Sequence, residues 1–136
     1  MNKAGEILGE IAIKYMRDNA LSYYDEIVSG KTKTTWHKNL HEVLNGIDKD
    51  TKELFKAVLL MVLDDVSFEF LKAIQQPDDN AESIEFKING TDVTKEPGDI
   101  HEHLTYWADK YSICPRTTDL LKKYGTDAWP RVFLKP

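Results

Sequence analysis

Two pairs of side chains carry the spacing of a reactive or metal-binding centre. His37 and His41 stand four residues apart, so on a helix they share one face and could place two imidazoles on one metal ion. Asp65 and Glu69 repeat that spacing further along. Like charges four apart weaken a helix, and carboxylates near an apolar face are costly unless they are paired, hydrogen-bonded or metal-bound. If the two helices face each other, His37, His41, Asp65 and Glu69 form a two-histidine, two-carboxylate metal centre inside a bundle, and the chain becomes a metal-dependent enzyme. The plainer alternative is a pair of boundary histidines, with internal ion pairs for the acids from Lys72, Arg17 or Lys14. The zincin glutamate is missing, because Lys38 follows the first histidine. Asp64 points away from the main apolar face and is expected in water.

Other reactive groups are sparse. His101 and His103, two apart on a helix, diverge, and only His103 lies near an apolar stripe. Cys114, followed by Pro115, has no histidine or helix start beside it to lower its pKa, and reads as structural. There is no Gly-rich phosphate loop, no Gly-x-Ser-x-Gly elbow and no Cys-x-x-Cys pair. No cofactor is expected.

The elements that hold these residues follow from apolar periodicity. Lys3 to Val28 reads as a helix whose stripe is Leu8, Ile11, Ala12, Tyr15, Met16, Tyr23 and Ile27, with Asn19 on the same side and Gly30 closing it. A shorter helix carries Trp36, Leu40, Val43, Leu44 and Ile47 behind a Thr34 or Thr35 cap. A third, from about 51 to 76, starts after Asp48 or Asp50 and stops before Pro77. Its main apolar face is Phe55, Val58, Leu59, Val62, Val66, Phe70 and Ile74, with Glu69 inside that sector and Asp65 on its flank. Leu60, Met61, Phe68 and Leu71 fall on its other sides, so its neighbours are expected to enclose it.

Ile84, Phe86 and Ile88 then alternate with polar residues up to Asn89-Gly90, the hairpin signal, and Val93 should point inward from the return strand. Asp99 and Glu102 make a capping-box-like start for a helix carrying Ile100, Leu104, Trp107, Ala108 and Tyr111. A short helix at 119–124 follows, and Trp129 to Phe133 should lie over the body. The expected fold is mainly α (α+β): a single-domain helical bundle, residues 1–136, around a central buried helix at about 51–76, with one β-hairpin at about 83–94.

Composition narrows the function. The 136 residues include 18 basic and 23 acidic side chains, 41% hydrophobic residues and one cysteine, which excludes wholesale disorder and a disulfide scaffold. The longest apolar run, 57–63, is far short of the roughly 20 residues of a membrane span. Glu6 and Glu10 interrupt any secretory signal, so a cytoplasmic setting is expected. Residues 48–110 hold seven basic against fifteen acidic groups. That acidity opposes nucleic acid and membrane surfaces and suits a basic protein partner. The expectation is a non-catalytic acidic protein-binding module, for example an inhibitor or immunity-type protein. Asp78, Asp79, Glu82, Trp107 and Trp129 are its candidate contact residues.

Overall fold

The computed structural model describes residues 1–76, 85–114 and 119. The expected short helix at 119–124, the terminal segment with Trp129, and the loop with Asp78, Asp79 and Glu82 lie outside these residues, Asp119 excepted.

The first 29 residues form one continuous rod: α1 (Lys3–Ile11), a π-helical stretch (Ala12–Asp18) and α2 (Asn19–Ser29). Asn2 caps α1 by accepting from Ala4 N and Gly5 N, and Gly30 closes α2 at φ 73°, the left-handed conformation glycine adopts without strain. After Thr34, whose side chain accepts from His37 N, comes α3 (Thr35–Asn45). Asp48 then caps α4 (Lys49–Gln75), accepting from Thr51 N at 2.9 Å and Thr51 Oγ1 at 2.6 Å. The hairpin is short: β1 (Lys87–Ile88) pairs antiparallel with β2 (Thr91–Asp92) across Asn89-Gly90, both at positive φ. Val93 is buried as expected, but in a 3-10 turn (Val93–Lys95) rather than in the strand. A second 3-10 turn (Ile100–His103) leads into α5 (Leu104–Tyr111). The architecture is a mainly α bundle with one hairpin.

α4 lies antiparallel to the N-terminal rod. Lys56 meets Asp25, Asp64 meets Arg17, and Leu71 and Ile74 join Ala4 and Leu8. The main core sits at that last end, where Ile13, Val93, Ile100, Leu104 and Trp107 complete the cluster. Trp107 is fully buried against Gly9, where a Cβ would overlap the indole. The opposite end is thin. α3 has no buried residue, and Leu21, Ala57 and Leu60 are the buried apolar side chains of α2 and the first half of α4.

Of the expected apolar face of α4 only Ile74 is fully buried, with Val58 and Leu59 half-buried, and the other buried side chains come from its remaining sides. Buried are Ala57, Leu60, Ser67, Leu71 and Ile74, a seam of alternating three- and four-residue steps completed by half-buried Asp64. Small residues at 57 and 67 allow close approach of the rod. Phe55, Val62, Val66 and Phe70 remain 44–55% exposed, so the helix is not enclosed. The first rod departs in a similar way: Ile11, Tyr15, Met16 and Tyr23 are exposed, and so is Asn19, whose amide donates to Tyr15 O.

Candidate functional site

Exposed apolar side chains lie on the outer faces of α3 and α4 as well as on the rod. On α3, Trp36 is 70% exposed and Val43 67%, with Leu40 beside them at a helical spacing of four and three. The inner side of this helix is less apolar: His37, His41 and Leu44 are half-buried, and His41 Nδ1 donates to Ile27 O at 2.8 Å, closing α3 onto the end of α2. Along α4, Phe55, Val62, Val66 and Phe70 run down the solvent side, and Asp65 and Glu69 are exposed on that same side. Glu69 keeps its place within the apolar sector, but the sector faces water, so its carboxylate needs no buried cation.

The buried cation goes to a different acid. In the π-helical stretch the burial pattern steps from Ala12 and Ile13 to Arg17 and Asp18, five residues on instead of four. The widened turn brings both charged side chains inward. Arg17, 1% exposed, donates from Nε to Asp64 Oδ1 at 2.6 Å and from Nη1 to Ser112 Oγ at 2.8 Å. Ser112 Oγ donates to Asp18 Oδ1 at 2.7 Å, and Ile113 N donates to Asp18 Oδ2 at 2.9 Å. This network ties the end of α5 to the rod and to α4. Asp64 is therefore an ion-pair partner, not a solvated acid, while Asp65 and Glu69 are the ones in water. Burial, then Asp18, push the Cys114 thiol above its usual pKa, which suits a structural cysteine.

His37, His41, Asp65 and Glu69 are not among the residues whose ligand atoms converge. The physical reason is orientation: His41 turns toward α2, and the carboxylates are exposed on the outer side of α4. Trp107, expected as a contact residue, is part of the core instead, because the 3-10 turn before α5 aims it at Gly9. That turn also reverses the C-terminal histidines. His101 is buried and His103 half-buried, its ring tilted against Trp107 at 6.0 Å. Asp99 makes no side-chain cap; it accepts from Gln76 Nε2 at 2.6 Å.

Among the described residues, a cavity of ≈ 240 Å³ lined by Lys3, Ala4, Ile7, Ile88, Asn89 and Thr91 is smaller than the ~300–1,000 Å³ of small-molecule sites. No helix of the described residues is long and apolar enough to cross a membrane. Comparison with protein-family models, with curated proteins and with solved structures finds no match to this chain.

Proposed function

We propose that the protein is a non-catalytic, acidic protein-binding module in a cytoplasmic setting. A protein of the inhibitor or immunity type, neutralising a basic partner, is one example of the class. The observation that supports this reading is the outer stripe of α4, Phe55, Val62, Val66 and Phe70, which lies in water along most of a 27-residue helix. Contiguous apolar residues at a surface mark interaction sites, since their exposure costs free energy that a partner removes. Asp65 and Glu69 on the same side would repel an acidic partner and steer a basic one. A basic amphipathic helix lying along the stripe satisfies both requirements.

Site-specific photo-crosslinking in the native host tests this. A crosslinker at Val66 should capture a basic protein, and one at Lys14, on the rod, should not. Val62→Gln with Val66→Gln, which adds no charge to the helix, should abolish capture while keeping the fold by circular dichroism. Equal capture from both positions, or capture that survives the double substitution, would contradict the proposal.

A further inference from the structure

The corner where the end of α4 meets the second 3-10 turn holds a group of side chains that the interaction surface does not use. Asp99, His101 and Glu102 each offer a ligand atom within 4.8 Å of those of the other two. Their chemistry differs from that of a solvated acidic cluster because of the imidazole. His101 is 8% exposed, its ring stands edge-on to Phe68 at 4.6 Å, and its Nδ1 is enclosed without a hydrogen-bond partner. A buried ring nitrogen left unmet is costly, and buried polar atoms are nearly always satisfied. Asp99 is meanwhile held from behind by the Gln76 side chain, and Gln75 Oε1 accepts from Ile100 N at 2.7 Å. Gln76 thus braces the Asp99 carboxylate and Gln75 the neighbouring backbone, which fixes the turn to the end of α4; a carboxylate braced in this way is oriented as metal-ligating carboxylates are.

We propose that Asp99, His101 and Glu102 bind one divalent first-row transition ion, with Zn²⁺ the best match. One imidazole nitrogen and two carboxylates supply a mixed donor set that neutralises the dication. Ca²⁺ and Mg²⁺ are matched instead by all-oxygen sets. Ligand bonds of about 2.1 Å place donors on a tetrahedral ion closer together than 4.8 Å. The exposed Glu102 side chain can turn to close the difference. Three protein ligands leave a fourth position for water. In a helix of three residues per turn side chains three apart eclipse, which brings the Asp99 and Glu102 carboxylates to one side of the turn. Binding would cross-link positions 99, 101 and 102 and hold the conformation of the turn, and should raise thermal stability by mass action.

The test is calorimetric titration of metal-free full-length protein with ZnCl₂, with a thermal melt alongside. The expected result is one Zn²⁺ per chain and a higher melting temperature with zinc than without. Glu102→Gln, at an exposed side chain, should keep the fold by circular dichroism and weaken zinc binding about tenfold or more. His37→Ala should bind as the parent does. The proposal is overturned if no stoichiometric binding is seen, if Glu102→Gln binds like the parent, or if His37→Ala is the variant that loses the metal. Zinc-induced shifts of the His101 imidazole resonances provide a readout that does not depend on folding of a variant, and their absence in the zinc-saturated protein would also overturn it.

Discussion

Arg17 is the residue on which the middle of the molecule depends. Its guanidinium lies fully inside, between Asp64 of α4 and the Asp18–Ser112 pair. A buried ion pair is weak evidence of net stabilisation, but removing one partner strands the other. Arg17→Ala should therefore cost about 3–5 kcal/mol in urea unfolding, several times the cost of a surface arginine. Gly9→Ala should also destabilise, by about 1–3 kcal/mol, and should alter tryptophan fluorescence, because the new methyl overlaps the Trp107 ring. A third residue gives a pH signature. Glu6 accepts from Lys110 Nζ at 2.6 Å and from Tyr111 Oη at 2.7 Å, and these bonds, Lys110 first, hold its carboxyl below the usual carboxylate range. A folded pKa below the unfolded one stabilises above the unfolded value, and that contribution fades as pH falls through the folded value. Glu6→Gln should lower stability at pH 7, and the gap to the parent should narrow as pH falls below the ordinary carboxylate range, in parallel urea midpoints. A gap that does not narrow with acid would assign the loss to packing.

At the scale of the element, α3 and α4 pose the same problem twice. Each has two sectors that a neighbour could cover, and in each the more apolar one faces out. Periodicity locates both sectors of α4: Glu69 within the Phe55–Phe70 stripe, and Leu60 and Leu71 on other sides. It does not say which one the rod covers, because that depends on Arg17, 47 positions away from Asp64. The Arg17–Asp64 pair and the small residues Ala57 and Ser67 favour the less apolar seam. The assignment can be checked by comparing two substitutions. Leu60→Ala should cost about 2–5 kcal/mol, and Val66→Ala within about 0.5 kcal/mol, in thermal or urea melts. Similar losses at both sites would mean the stripe is covered.

For the whole molecule, the asymmetry matters most. The core is concentrated where α1, α5, the hairpin and the end of α4 meet, while α3 and the first half of α4 are thinly packed. On the proposed function, association with a basic partner should slow as salt rises. Stopped-flow association at low and physiological ionic strength measures this, and a rate indifferent to salt would remove charge from the account. The sequence by itself determined where the long helices and the hairpin turn fall, but not the π-helical stretch or the 3-10 turn that opens α5. Asn89-Gly90, Gly30, the Thr34 cap and the Asp48 cap all act on backbone groups within a few residues of themselves. Only the tertiary structure decided what each helix hides: that Trp107 belongs to the core, that Asp64 rather than Glu69 takes the buried cation, and that His101 comes beside Asp99 and Glu102. Burial is a property of pairs of surfaces, and the side chains that complete each pair stand tens of residues apart along the chain.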